Sequence, residues 1–225
     1  MTTTGNLTNR RWFDTLMPRT FTLWTMVLGV ASLVSQAGII VTGGAVRLTA
    51  SGLGCPEWPR CTTDSFVNTP EMGMHGVIEF GNRLLTFVLA AIAVLTILAL
   101  IRLRETHRDL FVMSIVLFLG IPGQAVIGGI TVWTGLNPWV VMLHFLLSAA
   151  MVSIAALLVH RIGAERRARK FRIQPVRLQD GASTPLTKAA AVLAYLAGWV
   201  TLIVGTVVTG TGPHGGDPGT PRHDF

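Results

Sequence analysis

The chain is poor in charged residues and has only two cysteines. Charged side chains make up 13% of its 225 residues, about half the share of a soluble domain, which is roughly a quarter. This scarcity excludes an ordinary water-soluble domain. We also find no low-complexity tract and no glycine-rich nucleotide-binding loop that follows a strand.

Long apolar runs are abundant instead. Each approaches the roughly 20 residues needed to span a hydrocarbon core, and they cover approximately 21–43, 74–100, 110–130, 139–158 and 189–209. Because backbone groups inside lipid must bond within their own segment, the runs predict helices. The first run lacks a small-residue cleavage site and is expected to be a retained helix rather than a signal peptide. The fold class is therefore all-α, a polytopic membrane helix bundle with five transmembrane helices.

The basic residues are distributed unevenly. Fourteen of the eighteen Lys and Arg precede the first run or lie in the second and fourth connections, all on one face of such a bundle. The positive-inside rule then predicts a multi-pass protein of the plasma membrane, with a cytoplasmic N-terminus and an extracytoplasmic C-terminus. The formal charge of +7 is thus attributed to topology and anionic lipid headgroups rather than to nucleic acid.

The predicted organisation follows from this topology. It comprises a cytoplasmic segment 1–20, a four-helix bundle 21–160 with an extracytoplasmic loop 44–72, a basic cytoplasmic loop 161–188, a fifth helix 189–209 and a tail 210–225. The sequences "VTGGAVRLTASGLGCP" after the first helix and "VTGTGPHGGDP" after the fifth are similar. An ancestral duplication would explain the similarity, and so would small residues that let membrane helices approach closely.

The second helix carries a polar stripe. His75, Glu79, Asn82 and Arg83 lie on one helical face. A charged side chain in mid-membrane costs roughly 2.5–3.5 kcal/mol on insertion scales, so we expect the stripe to face partners inside the bundle. One interpretation is a structural Glu79–Arg83 salt bridge with Asn82 as an interhelical contact, which leaves His75 without a purpose.

A second membrane histidine lies on the fourth helix. His144 is roughly 7.5 Å below Trp139 along the helix axis, a depth that overlaps the polar stripe. A lone membrane histidine is often only a hydrogen-bonding residue. Two at similar depth, His144 and His75, with Glu79 one turn from the latter, favour a cofactor or proton site. Imidazoles on facing helices are one way to hold heme iron.

The two cysteines, Cys55 and Cys61, lie in "GLGCPEWPRC". We expect this loop to be short, stiff and exposed to water on the oxidising outer face, where a disulfide can persist. An external cysteine pair is also typical of membrane thiol–disulfide oxidoreductases. A quinone-linked enzyme of that class needs a second reactive pair, and this chain has one pair.

Four stretches together resemble the heme A synthase family: "VTGGAVRLTASGLGCPEWPRC", "IEFGNR", "LHFLLSA" and "VTGTGPHGGD". The resemblance covers the chain from residue 21 to about residue 218. It implies oxidation of the C8 methyl of heme O to the formyl of heme A for cytochrome oxidase. It also implies eight helices in two similar halves, with heme b in the C-terminal half and heme O in the N-terminal half. Heme O synthase and cytochrome oxidase assembly factors are the implied partners, and a homo-oligomer is left open.

The resemblance also assigns roles to residues. Glu79 matches the family's catalytic or proton-handling glutamate, and His144 matches its helix-four heme iron ligand. Cys55 and Cys61 match a first-loop pair that can form a disulfide. Arg83 is implied as polar support for the heme site.

The chain departs from the family pattern in two respects. Asn82, a second polar support, stands where the pattern Glu-x-x-His-Arg has a histidine, and we hypothesise that His75 substitutes as the iron ligand. Helices six to eight and their histidines are not in this sequence, so we expect a truncated product, a second chain or a shortened variant. The alternative functions are a non-catalytic heme carrier or cytochrome-like assembly subunit, and a thiol–disulfide oxidoreductase that uses Cys55 and Cys61.

Overall fold

Five long helices form the protein in the computed structural model, which describes residues 12–171 and 184–211. They are α1 (Leu23–Leu48), α2 (Gly73–Leu100), α3 (Arg108–Trp133), α4 (Pro138–Phe171) and α5 (Pro185–Thr211). Short 3-10 turns, Pro70–Met72 and Ile101–Leu103, precede and follow α2. All five helices are long and apolar enough to cross a membrane. The predicted fold class and number of spans are confirmed.

Every helix extends beyond its apolar run, and the two longest extensions are at the C-terminal ends of α1 and α4. The first, α1, continues through Gly43 and Gly44 to Leu48, so the connection to α2 begins at Thr49. The fourth, α4, continues to Phe171 because Arg, Lys, Glu and Ala are good helix formers even where the sequence is no longer apolar. Part of the predicted N-terminal segment (1–11), part of the basic loop (172–183) and the tail from residue 212 lie outside the described residues.

The described residues fall into two compact units. One, here called the core unit, comprises 12–38, Phe87–Pro122 and 150–171. The other, here called the loop unit, comprises Ile39–Thr86, Gly123–Ala149 and 184–211. Each of the first four helices contributes one segment to each unit, whereas α5 belongs to the loop unit alone.

Side-chain packing dominates the core unit. Leu158 and Ile162 of α4 have no exposed surface, and Leu110 and Leu117 of α3 are 1% exposed. Gly29 of α1 lies against α4, and a Cβ there would be 3.3 Å from Ile162 Cδ1. Helix packing in lipid depends on such close contacts because lipid tails are as apolar as the side chains themselves.

Three of the polar side chains buried in the core unit bond to nearby backbone carbonyls. The hydroxyls of Thr25, Thr96 and Ser114 donate to backbone carbonyls three or four residues earlier, which satisfies them without a partner on another helix. At the surface of the same unit, Arg102 donates to Asp14 at 2.6 Å.

Helix α5 has no buried side chain among its described residues. Its carbonyl at Thr209 accepts a hydrogen bond of 2.9 Å from Nη2 of Arg47 in α1. Exposed apolar side chains of this kind are typical of a membrane-spanning helix, where lipid tails cover them.

Candidate functional site

The connection 49–69, here called the cysteine loop, begins with a tight turn at the end of α1. Ser51 N donates to Val46 O at 2.8 Å, and Ala50 N donates to Arg47 O at 3.2 Å. This pair of bonds is the Schellman arrangement, which needs a left-handed residue after the helix. Ala50 takes that conformation, with φ of 53°. The turn fixes where Ser51 lies, and Ser51 is fully buried.

Cys55 and Cys61 form a disulfide, as the resemblance implies. The loop is expected to be exposed to water, and within it both cysteines are themselves 0% exposed. Four of the five residues between them are exposed: Pro56, Glu57, Pro59 and Arg60. The loop therefore folds over its own disulfide, with Cys61 Sγ 3.5 Å from the sulfur of Met72.

Glu79 and Arg83 of α2 hold the cysteine loop by its backbone. Glu79 Oε2 accepts from Cys55 N at 2.6 Å, and Glu79 Oε1 pairs with Arg83 Nη2. The Arg83 guanidinium also donates to three loop carbonyls, each at 3.0 Å: those of Cys55, Glu57 and Arg60. We call this set the arginine clamp. The structural salt bridge is confirmed, and both oxygens of the buried Glu79 carboxylate are engaged.

His75 lies in the first turn of α2, next to the end of α1. Its Nδ1 is 2.9 Å from Ser51 Oγ. Gly54 packs directly on its backbone, since a Cβ at position 54 would lie 2.3 Å from the His75 carbonyl oxygen. The expectation that the whole polar stripe faces inward is wrong for His75, whose side chain is exposed, whereas Glu79 is buried. The difference arises because His75 precedes Glu79 by one turn, at the open start of the helix.

Asn82 links α2 to α1. Thr42 Oγ1 donates to Asn82 Oδ1 at 2.7 Å. The interhelical contact predicted for Asn82 is confirmed. An asparagine here satisfies a hydroxyl on the neighbouring helix, at the position where the family pattern has an imidazole.

His144 occupies a different setting, between α4 and α3. Gly128 faces its ring, and a Cβ there would lie 3.4 Å from His144 Cε1. Gln124 Nε2 donates to the His144 carbonyl at 3.2 Å and to Ser148 Oγ at 2.9 Å. Within the described part of the chain, His144 Nδ1 and Gln124 Oε1 are buried without a hydrogen-bond partner. The described residues thus hold the His144 backbone and leave Nδ1 of its imidazole without a hydrogen bond.

Trp58 and Gly129 form a contact that sequence reasoning missed. The Trp58 ring lies on Gly129, where a Cβ would fall 2.4 Å from Trp58 Cδ2. Trp133 meets the same ring edge-on at 5.3 Å and donates from Nε1 to Trp58 O at 3.2 Å. The available signal was a Gly-Gly pair in the third apolar run and a tryptophan near two prolines. This contact fastens the cysteine loop to α3.

The cysteine loop thus brings together three of the predicted site residues, His75, Glu79 and Arg83. His144 shares no hydrogen bond with these three in the residues described. Nor do residues 12–171 and 184–211 contain a cluster of three or more His, Cys, Asp and Glu that could hold a bare metal ion.

Comparison with known proteins gives the family. The family model COX15-CtaA, described as cytochrome oxidase assembly protein, matches residues 24–215. The chain belongs to this family. Every site residue described above lies inside the range that the COX15-CtaA model matches, including the cysteine loop and His144.

Curated relatives of this COX15-CtaA member carry the name heme A synthase. The chain is 38% identical to that of Bacillus pumilus over 130 residues, which cover 54% of this chain and 40% of the relative. It is 30% identical to that of Geobacillus thermodenitrificans over 150 residues, 66% and 45% of the two chains. For the relative from Bacillus licheniformis the identity is 29% over 154 residues, which cover 65% of this chain and 49% of the relative.

These relatives confirm the resemblance to the heme A synthase family. The chain spans about half or less of the length of the curated relatives it matches. No solved structure matches it.

Proposed function

We propose that this chain serves heme A biosynthesis for cytochrome oxidase as a heme A synthase-type oxidoreductase, which converts the C8 methyl of heme O to the formyl of heme A. The observation that carries the proposal is the family match over residues 24–215. That range contains a buried carboxylate, a buried disulfide and an imidazole whose Nδ1 has no hydrogen-bond partner among the described residues. Since the matched part of the chain covers about half or less of each relative, heme b is proposed for a site outside these five helices.

The residues of the loop unit fit a heme group. His144 has an imidazole that no described side chain engages, and Gly128 leaves its ring uncovered. His75 has one ring nitrogen anchored on Ser51, which leaves the other for a ligand. Bound heme would supply an iron centre with redox chemistry, and neutral imidazole nitrogens are its usual protein ligands. We propose His144 and His75 as the iron ligand candidates.

Glu79 is the proposed proton-handling group. With water as the oxygen donor, conversion of a methyl to a formyl releases four protons and four electrons. The electrons would pass through the proposed heme b to an external electron acceptor, and the protons need an accepting group at the site. Glu79 is the carboxylate of the loop unit that α2 buries. Each oxygen accepts one hydrogen bond, from Cys55 N or from Arg83, and keeps a second lone pair that could take a proton. Asn82 and Arg83 are proposed as polar support around it.

A second candidate function is a non-catalytic heme carrier, which one observation favours. The engaged Glu79 carboxylate has a complete structural role in the arginine clamp without any chemistry. A thiol–disulfide oxidoreductase is less well supported, because thiol–disulfide exchange requires access to a sulfur and both cysteines are fully buried.

We further propose the orientation given by the basic residues, with the N-terminus in the cytoplasm and the cysteine loop outside. Heme O synthase is the proposed supplier of the substrate. Labelling a single cysteine, introduced at the exposed Glu57 in a Cys55→Ser, Cys61→Ser background, with a membrane-impermeant reagent on intact cells tests the orientation. Labelling only after lysis would contradict it.

The deciding experiment gives heme O to membranes of cells that produce the full chain, where a heme b subunit and an electron acceptor are available, and follows the products by chromatography and mass spectrometry. Oxidation of the methyl in the wild type supports the synthase, and we expect Glu79→Gln to stop with unreacted heme O or a hydroxylated intermediate. Glu71→Gln is the matched control, because Glu71 is exposed two residues before α2 begins and lies outside the site. Heme O that binds and stays unchanged in the wild type would favour the carrier.

A further inference from the structure

A chain of hydrogen bonds runs from the last turn of α1 to His75. Thr49 Oγ1 donates to the Ala45 carbonyl at 2.8 Å. Thr49 Oγ1 also lies 2.8 Å from Ser51 Oγ. Ser51 Oγ in turn lies 2.9 Å from His75 Nδ1. Each hydroxyl has one hydrogen to donate, so the direction of these bonds is constrained.

Which atom donates in each of these hydrogen bonds follows from the Ala45 carbonyl, with which the series begins. A carbonyl only accepts, so the Thr49 hydrogen goes to Ala45 and Thr49 Oγ1 accepts from Ser51. The Ser51 hydrogen is then used, and Ser51 Oγ accepts from His75 Nδ1–H. If Ser51 instead donates to the Thr49 carbonyl, 3.4 Å away, its hydrogen is used as well. If Ser51 donated to His75 Nδ1 and Thr49 donated to Ser51, the bond from Thr49 to the Ala45 carbonyl would be lost. That arrangement has one hydrogen bond fewer.

Both ends of this chain are held in place. The Schellman turn at Ala50 fixes Ser51, which is fully buried. Gly54 lies against the His75 backbone so closely that no side chain fits at position 54. The buried Ser51 hydroxyl and the His75 backbone are therefore held next to each other.

We propose that Thr49 and Ser51 are positioning residues that hold His75 as the Nδ1–H tautomer and so present the Nε2 lone pair to a heme iron. The identity of the iron group rests on the proposed function, whereas the tautomer rests on the hydrogen bonds alone. In a metal-binding histidine, a hydrogen bond from the ring nitrogen that does not bind the metal fixes both the tautomer and the orientation of the ring. The exposed side chain of His75 leaves Nε2 within reach of a ligand.

The tautomer is tested on the full chain in detergent, without heme. Nitrogen-15 NMR of labelled histidine at about pH 8, where a free imidazole is neutral, distinguishes protonated from unprotonated ring nitrogens, and His75→Gln identifies the His75 signals. We expect protonated Nδ1 in the wild type and a mixture of tautomers in Ser51→Ala. Ser51→Thr should restore the wild-type signals, and Thr63→Val, an exposed hydroxyl in the same loop, should not change them. A wild type with protonated Nε2 would overturn the proposal.

The iron assignment is tested by adding heme and recording optical and electron paramagnetic resonance spectra. Loss of such a hydrogen-bond partner typically lowers metal affinity by about 10- to 100-fold, so we expect Ser51→Ala to bind heme that much more weakly and to shift its low-spin signals. Identical affinity and spectra in wild type and Ser51→Ala would overturn the assignment to iron. A Ser51-dependent low-spin spectrum in a chain that never oxidises heme O would support it and would contradict the proposed reaction instead.

Discussion

The core unit and the loop unit contain segments of the same four helices, but they are stabilised differently. Of the nineteen buried apolar side chains among the described residues, fifteen lie in the core unit. The loop unit has four, and two of these are the disulfide cysteines. Its contacts are instead hydrogen bonds to loop backbone and close approaches at glycine. Packing of apolar side chains thus stabilises the core unit. Hydrogen bonds and close backbone contacts at glycine stabilise the loop unit.

The strongest test of this comparison removes the arginine clamp. We expect Arg83→Met to lower the free energy of unfolding by about 3–5 kcal/mol, since breaking a buried pair leaves an uncompensated charge. In this case three loop carbonyls also lose their donor. Thermal unfolding in detergent measures the loss. Arg60→Met is the matched control, because the Arg60 side chain is exposed, and an equal loss in both variants would show that the clamp has no special role.

The converse test weakens the core unit alone. Leu158 has no exposed surface, and we expect Leu158→Ala to cost about 3 kcal/mol through the cavity it leaves. The loop unit should keep its structure, so the nitrogen-15 signals of His75 should stay in place while the unfolding temperature falls. The neighbouring Leu157 is 41% exposed, and Leu157→Ala should change little. A shift of the His75 signals in Leu158→Ala would mean that the two units do not behave separately.

A smaller effect is expected from adding one methyl group to the loop unit. Gly129→Ala places a Cβ within 2.4 Å of the Trp58 ring, and we expect it to cost about 1–3 kcal/mol as overpacking does elsewhere. The near-ultraviolet circular dichroism of the Trp58–Trp133 pair should change with it. Gly123→Ala, which meets nothing within 4 Å, should leave both the spectrum and the stability unchanged. The reverse order of effects would refute the proposed role of this contact.

The smallest effect is expected at the surface of the core unit. The Arg102–Asp14 pair is largely exposed on the Asp14 side, at 62%, and exposed pairs contribute about 0.2–1 kcal/mol. Asp14→Asn should therefore lower the unfolding temperature barely or not at all, and added salt should remove any difference. A loss as large as that in Arg83→Met would contradict the view that the core unit is stabilised chiefly by side-chain packing.

Much of the helical architecture was predictable, because membrane helices need long apolar runs. The continuation of α4 to Phe171 was not predicted, because many of the residues that follow its apolar run are charged but still favour a helix. The Glu79–Arg83 pair and the Asn82 contact could be read from helical spacing, which is local. The arginine clamp could not, because its acceptors are backbone carbonyls, and backbone carbonyls have no signature in sequence. The burial of the cysteines was missed for a related reason: it depends on how the loop folds back on itself.

The arginine clamp has a practical consequence for work on this protein. Arg83 binds the cysteine loop through carbonyls, so the identities of the side chains at those positions do not enter the interaction. Glu57 is exposed while its carbonyl is bound. A reporter group attached at position 57 would therefore remain on a fixed stretch of backbone. If the loop moved, the surroundings of the reporter group would change and its signal would report the movement. The reporter group itself would leave the hydrogen bonds from Arg83 intact.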